Sequence, residues 1–174
     1  MQLTRAERWI LSNQLRILEA LYPGEAAYLR QHREAIENGY ELHYSWAAEH
    51  IYGDKDIMTS AECQEVINIL DMFRAIKTAY DALEDKSGIE EWTARFDGFD
   101  GNNETKQMAY ARYFCSLDGG RFTELDRGDD FNSHAPVLDA YRRMLIEWRN
   151  SEDRYHLSEE DLSRITSARF HPDA

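Results

Sequence analysis

The longest regular pattern of apolar positions lies in the middle of the chain. From Thr59 to Asp85, apolar residues recur at steps of three and four, and no Gly or Pro interrupts them. The positions are Val66, Ile69, Phe73, Ile76, Tyr80 and Leu83. Such steps keep side chains on one face of an α-helix, so the pattern predicts one long helix at about residues 60–84. The face is broader in the first half, which predicts deep burial at the start of the helix.

Shorter helical patterns flank this segment. A Thr followed three positions later by Glu is a capping box, and it predicts helix starts at Thr4 and Thr59. The other predicted helices cover about residues 5–21, 25–38, 41–51, 104–117, 136–149 and 159–169, with a short amphipathic piece at 89–96. We therefore expect an all-α fold. It would be a single domain over residues 1–170, a bundle of about seven helices around the long central one, with a short flexible tail at 171–174.

The first predicted helix has an unusually wide apolar face. One stripe contains Leu11, Leu15 and Leu18, and an adjacent stripe contains Leu3, Ile10, Ile17 and Leu21. A face of this width predicts that two neighbouring elements cover it. The polar run at residues 12–14 interrupts the pattern. It indicates either a solvent-exposed side of the helix with a helix–helix hydrogen bond, or the edge of a partner-binding surface.

The charge balance argues against nucleic acid as a partner. The chain has 20 basic and 33 acidic residues among 174, for a net charge of −13. The excess is concentrated in residues 41–100, and none of the three segments 1–40, 41–100 and 101–174 is net basic. Long-range attraction to a phosphate backbone is therefore missing. DNA binding through the neutral N-terminal helices is the third-ranked hypothesis, because the connector at residues 52–58 is long for a helix-turn-helix.

The sequence predicts a cytoplasmic protein. Cys63 and Cys115 lie far apart and both look like small core residues, which fits a reducing compartment. We find neither a signal peptide nor an apolar stretch of about 20 residues, so we expect no membrane span.

Local spacing gives no support for a metal site, a cofactor or a catalytic residue. The six histidines form no His-x-x-x-His pair, and the run at 97–104 fails the calcium-loop pattern in both registers tested. A Gly-x-Ser-x-Gly elbow and a P-loop are both absent from the sequence. We therefore expect no metal and no cofactor, and we lean toward a protein that is not an enzyme.

One region could still bind a ligand. Between residues 112 and 156 the chain alternates aromatic residues with Arg, and the irregular part of this region adds Asp, Asn and His. A polar pocket for an anionic or planar ligand could form there. The alternative is that Arg–Asp pairs only tie the loop to the bundle. The candidate pocket residues are Arg112, Arg121, Asp126, Asn132, His134 and His156.

These observations leave two main hypotheses. Wide apolar helix faces and four Trp residues on four different elements favour a non-catalytic interaction or regulatory protein that forms a homo-oligomer and binds an unknown protein partner. The alternative is a small-molecule-binding protein or hydrolase that uses residues 112–156.

Several runs resemble the YfbU family of bacterial proteins. They are Glu-Arg-Trp-Ile-Leu-Ser-Asn-Gln at 7–14, Ile-Glu-Asn-Gly-Tyr at 36–40, Gly-Phe-Asp at 98–100, Gly-Arg-Phe at 120–122, Asp-x-Gly at 126–128, Phe-Asn at 131–132, Tyr-x-Arg-Met-Leu at 141–145 and Tyr-His-Leu-Ser at 155–158. The resemblance covers nearly the whole chain. It implies a cytosolic, all-helical bacterial protein, and it carries over neither an established activity nor catalytic residues.

Overall fold

The protein is all-α, as expected. A computed structural model describes residues 1–53 and 55–170. Within these ranges it contains six α-helices: α1 (Arg5–Leu21), α2 (Ala26–Asn38), α3 (Ser60–Ala82), α4 (Thr105–Ser116), α5 (Leu138–Arg149) and α6 (Glu159–Ser167). One-turn 3₁₀ helices add the turns at Glu41–His43, Trp46–Ala48, Glu91–Thr93, Leu117–Gly119 and Thr123–Leu125. The predicted tail at 171–174 lies outside the described residues.

The chain divides into two compact units. The N-terminal unit is Met1–Ile57 and the C-terminal unit is Met58–Ala174. The long helix predicted at 60–84 is confirmed as α3, which contacts α4, α5 and α6 within the C-terminal unit. The expectation that residues 1–170 form one domain stays a prediction.

The N-terminal unit is built on a hairpin of α1 and α2. The predicted capping box at its start is confirmed, because the Thr4 hydroxyl accepts from the Glu7 N–H at 3.3 Å and the Glu7 carboxylate accepts from the Thr4 N–H at 2.7 Å. At the other end of the hairpin, Gly39 has a φ of 75°, the left-handed conformation that closes α2.

The helix predicted at 41–51 does not form. Two 3₁₀ turns replace it, at Glu41–His43 and Trp46–Ala48. Tyr44 is buried, but Ile51, expected on the same inner face, is 64% exposed. An isolated short helix is marginal because nucleation is costly, and here little apolar surface is covered to offset that cost.

The expectation that two neighbours cover α1 is also wrong within the N-terminal unit. The buried residue of α1 is Ser12, whereas Ile10, Ile17 and Leu21 are 53%, 59% and 65% exposed. The helix therefore turns Ser12, with the half-buried Leu11 and Leu15 of the other predicted stripe, inward and leaves the Ile10–Ile17–Leu21 side uncovered.

The C-terminal unit contains the main hydrophobic core. The buried positions of α3 run from Val66 to Ile76, so the helix is most deeply buried in its middle rather than at its start. Phe96 and Tyr141 pack against Phe73, with the Phe73 and Tyr141 ring centroids 4.8 Å apart. Phe99 packs in turn against Phe96 and Tyr141. Edge-on and tilted contacts of this kind stabilise a core beyond the area they bury.

Two polar contacts fasten loops onto this aromatic core. The buried Tyr141 hydroxyl accepts from the Asp97 N–H at 3.1 Å. Phe99 forms an isolated β-bridge with Asn132, in which the Phe99 N–H donates to the Phe131 carbonyl at 2.9 Å and its carbonyl accepts from the Ser133 N–H at 3.1 Å. The irregular segment after α4 is thus bound to the segment before it.

Gly98 makes the pairing of Phe99 with Asn132 possible, and substituting Gly98 should lower the stability of the fold. Its φ is +87°, and a Cβ there would lie 2.2 Å from the Phe131 carbonyl oxygen. We expect Gly98→Ala to lower the free energy of unfolding by more than about 2 kcal/mol, measured by urea denaturation. The control is Gly88→Ala in the same unit, where an added Cβ would meet nothing within 4 Å. Equal stability of the two variants would contradict this account of the loop.

Candidate functional site

The segment between α4 and α5 has an unusual backbone. Five non-glycine residues adopt left-handed backbone conformations there: Asp118, Phe122, Asp130, Phe131 and His134. For a bulky residue such as Phe this conformation is costly, so the surrounding contacts must impose it. Phe122, Leu125 and Phe131 are buried and anchor the segment in the core.

Glu104 provides the main polar anchor for this segment. Its carboxylate is buried and accepts hydrogen bonds from the N–H groups of Val137 at 2.8 Å, Leu138 at 2.7 Å and Asp100 at 2.9 Å. A carboxylate at a helix N-terminus satisfies unpaired N–H groups and interacts favourably with the helix dipole. Glu104 therefore caps α5 from a distance, and Pro136, predicted to open that helix, lies before the cap residue Val137.

Two of the six predicted pocket residues, Arg112 and Arg121, form local ion pairs. Arg112 donates to the Asp130 carbonyl at 2.8 Å and also pairs with the Asp130 carboxylate at 2.6 Å. Arg121 pairs with Asp118 three residues earlier. The Asp126 carboxylate accepts from a backbone N–H two residues later at 2.8 Å, which makes a local turn. These contacts hold the loop together.

The structure brings Asn132 and His134 together. The Asn132 side-chain oxygen accepts from the Gly101 N–H at 3.1 Å and the His134 N–H at 3.0 Å. His156 lies in the loop after α5, where it contacts Asp153 at 2.9 Å and is 85% exposed at its side chain. The contacts of the six residues thus join them to different partners, and their role as a ligand pocket stays a prediction.

A groove of about 600 Å³ does form beside this segment, and Arg121 is one of its lining residues. The other lining residues are Ile67, Asp71, Arg74, Phe114, Gly120, Phe122, Thr123 and Glu124. Arg74 lies over the Phe122 ring, 3.8 Å from its centroid, and pairs with Glu124. The groove therefore presents both charges beside aromatic surface.

Sequence analysis missed Asp71 as a groove residue. It is partly buried in the groove, and this burial raises the pKa of its carboxyl, an effect that the nearby Arg74 guanidinium opposes. The signal available was the spacing of Ile67, Asp71 and Arg74 at i, i+4 and i+7, which places them on one side of α3. That spacing alone does not distinguish a groove from a solvated helix side.

The contact between α1 and α2 contains a polar network. The Ser12 hydroxyl donates to the Glu37 carboxylate at 2.6 Å. Arg16 and Arg33 donate to the same carboxylate at 2.8 Å and 2.9 Å, and Arg33 also donates to Glu19 at 2.6 Å. Hydrogen bonds that involve charged groups are stronger than neutral ones, so this network sets which side of α1 faces α2.

Two further classes of site were searched for in the described ranges. Residues 1–53 and 55–170 hold no group of three or more His, Cys, Asp or Glu residues placed to bind a metal ion. None of the helices in the same ranges is both long and apolar enough to span a membrane.

A family model identifies the chain. The model of the YfbU domain matches residues 1–168. The chain belongs to the YfbU family. The YfbU match covers α1, the groove and the segment between α4 and α5. The exposed side of α1 and the groove therefore both lie within the family's domain. The resemblance noted in the sequence is confirmed, while the function must be argued from the site.

The Glu37 network predicts an acid-sensitive contact between α1 and α2. The hydrogen bonds from Ser12 and then Arg16 lower the pKa of Glu37 from its usual 4.5 to about 2. The folded state then favours the carboxylate, so this stabilisation is present above about pH 4.5 and is lost as the pH falls toward 2. We expect Glu37→Gln to destabilise the protein at pH 6 and to differ less from wild type at pH 3, measured by urea unfolding.

The control for this measurement is Glu34→Gln, an exposed residue on the same helix. Its effect on stability should not show the pH dependence seen at Glu37. A Glu37→Gln effect that stays constant from pH 6 to pH 3 would contradict the charged network.

Proposed function

We propose that the protein is a non-catalytic, self-associating interaction protein that works through the uncovered side of α1. The observation that carries this proposal is the exposure of Ile10, Ile17 and Leu21 on a helix whose opposite side is fixed by the Ser12–Glu37 contact. Contiguous exposed apolar side chains on a soluble domain mark interaction surfaces. Trp9 lies beside them and is 69% exposed, and Trp is a residue type enriched at interfaces.

The small core of the N-terminal unit supports the same proposal. Among its described residues, the buried hydrophobic side chains are Ala35, Ile36 and Tyr44. Units of fewer than about 70 residues rarely gain enough stability from one core, and oligomerisation is a common compensation. Burial of the α1 side by another molecule would supply the missing apolar contact.

Charge does not oppose association at this surface. The 17 residues of α1 include three Arg and two Glu, although the whole chain carries −13. The Ile10–Ile17–Leu21 side itself is uncharged. The charges of α1 itself therefore create little repulsion between two copies that approach along this side.

A cytoplasmic location is part of the proposal. Both cysteines are free, and burial raises the pKa of the Cys115 thiol to about 11. A thiol with a raised pKa is unreactive, as expected for a structural cysteine in a reducing compartment.

A matched pair of isoleucines tests self-association. Ile17 on α1 and Ile146 on α5 are 59% and 58% exposed. We expect the wild-type protein to be oligomeric at micromolar concentrations by native mass spectrometry, and Ile17→Asp to dissociate it. Burying the new charge should cost about 3 kcal/mol, or about 100-fold in Kd.

Ile146→Asp is the control and should leave the oligomer intact. Two results would overturn the proposal: a wild-type protein that is monomeric at tens of micromolar, or equal oligomeric states for the Ile17 and Ile146 variants.

The second candidate function is small-molecule binding in the groove beside α3. Its supporting observation is the convergence of Arg121, Asp71 and the Phe122 ring on one open groove of about 600 Å³. A cleft of this size with a few polar groups suits a small ligand. The lining supports binding of a polar molecule with an apolar part more than it supports hydrolysis, because the Glu124 carboxylate is already paired with Arg74.

Native mass spectrometry of protein purified without added ligand tests this candidate. A co-purifying mass that is lost in Arg121→Ala and kept in Arg127→Ala would support the groove. Arg127 is a matched control because its side chain is 43% exposed, against 42% for Arg121, and it pairs with Asp97 outside the groove. Retention of the mass in Arg121→Ala, or a spectrum without extra mass, would count against ligand binding.

A further inference from the structure

We propose that α1 docks antiparallel against α1 of a second copy of this chain, with a two-fold axis passing between Asn13 and Gln14. This inference rests on the proposed self-association, and it names the partner element, the orientation and the register. It follows from a symmetry in the uncovered side of α1 that the exposures reveal.

The middle of the uncovered side is a row of residues that we call the α1 seam: Ala6, Ile10, Ile17 and Leu21, with Asn13 and Gln14 on either side of its midpoint. At 3.6 residues per turn the four apolar residues fall within an arc of about 60°. All six residues are exposed in the structure. The exposed side chains of Trp9 and Leu18 flank the row on its two sides. A row along the helix axis with apolar flanks suits one partner helix.

The seam is complementary to its own reverse. Ile10 and Ile17 lie at equal distances on the two sides of the midpoint between Asn13 and Gln14, and so do Ala6 and Leu21. In an antiparallel pair about that midpoint, Ile10 of one copy faces Ile17 of the other. The small Ala6 faces the large Leu21, so the packed volume stays even along the pair.

A parallel pair would pack less evenly. Ala6 would then face Ala6 of the other copy and leave a gap, while Leu21 would face Leu21 and crowd the opposite end. The antiparallel arrangement also aligns the two helix dipoles in opposite directions, which is the favourable orientation. Steric and electrostatic arguments therefore select the same orientation.

The polar residues beside the midpoint of the seam fix the register. Asn13 and Gln14 lie on opposite flanks of the seam, about 100° apart around the helix. A two-fold axis between them therefore places Asn13 against Asn13 of the other copy, and Gln14 against Gln14 of the other copy. Each side-chain amide offers both donors and an acceptor, so the two amides of each pair can satisfy each other. Polar residues within an otherwise apolar helix contact fix register and orientation at some cost in affinity. A slip of one turn would shift the two members of each pair about 5 Å past each other.

The extent of the seam sets the expected strength of the dimer. A helix of 17 residues is about 25 Å long. A contact of this length lies at the small end of the range for specific interfaces, for which about 800 Å² per partner is standard. We therefore expect a dimer in the micromolar range of Kd, which dilution can dissociate.

Disulfide mapping tests the orientation. Ile10→Cys and Ile17→Cys are prepared as single variants, mixed in equal amounts under reducing conditions, and then oxidised gently. Trypsin separates the two positions, since it cleaves after Arg8, Arg16 and Arg30. We expect a cross-link that joins the peptide 9–16 of one variant to the peptide 17–30 of the other.

Each variant alone should give little cross-link at the seam. In the antiparallel register the two copies of position 10 are about seven residues apart along the axis, or about 10 Å, beyond the reach of a disulfide. Ile146→Cys mixed with either variant is the control and should remain unlinked. Sedimentation of the reduced variants checks that they still associate.

The outcomes separate this inference from the proposed function. Self-cross-linking of Ile10→Cys alone would show a parallel pair and overturn the inference while self-association stands. The absence of seam cross-links from an assembled protein would place the contact on another surface and also overturn it. A wild-type monomer would remove the proposed function itself.

Discussion

The Ser12–Glu37 hydrogen bond decides what the N-terminal unit presents to other molecules. Glu37 collects donors from Ser12, Arg16 and Arg33, and these fix the rotation of α1 against α2. Because the side of α1 that carries Ser12 makes the intramolecular contact, the side that carries Ile10, Ile17 and Leu21 stays exposed. In most amphipathic helices of globular proteins the apolar side packs inside the protein and the polar side faces solvent.

In the C-terminal unit the apolar sides of the helices face inward. Its helices surround an apolar core in which Phe73 and Tyr141 are fully buried, and its polar anchors serve the loops above that core. Glu104 is the main example, since one buried carboxylate satisfies backbone N–H groups of a preceding turn and of the first turn of α5. This unit can be stable through its own burial, whereas the buried hydrophobic residues described in the N-terminal unit are Ala35, Ile36 and Tyr44.

The sequence predicted those features that depend on neighbouring residues. The apolar period located α3 within two residues, and the capping boxes located the starts of α1 and α3. The failures involve contacts between residues distant in sequence. The burial of Ser12 depends on Glu37, and the missing helix at 41–51 depends on the lack of covered apolar surface. Neither can be read from periodicity.

The same limit applies to the candidate sites. Of the predicted pocket residues, Arg121 lines a groove, but the groove also needs Asp71, which was hidden in the long α3 pattern. Three residues of the α1 seam, Ile10, Ile17 and Leu21, were visible in the second apolar stripe of the first helix. Its exposure could not be predicted, because a wide apolar face normally indicates a thick core. In the structure, Ile10, Ile17 and Leu21 of that stripe are exposed rather than part of a core.

Hydroxyl-radical footprinting of the wild-type protein over a dilution series tests the central claim most directly. The account predicts that Ile10, Ile17 and Leu21 are protected from labelling at tens of micromolar and become labelled on dilution, while Ile146 is labelled equally throughout. Labelling of the α1 residues that does not change with concentration would contradict it.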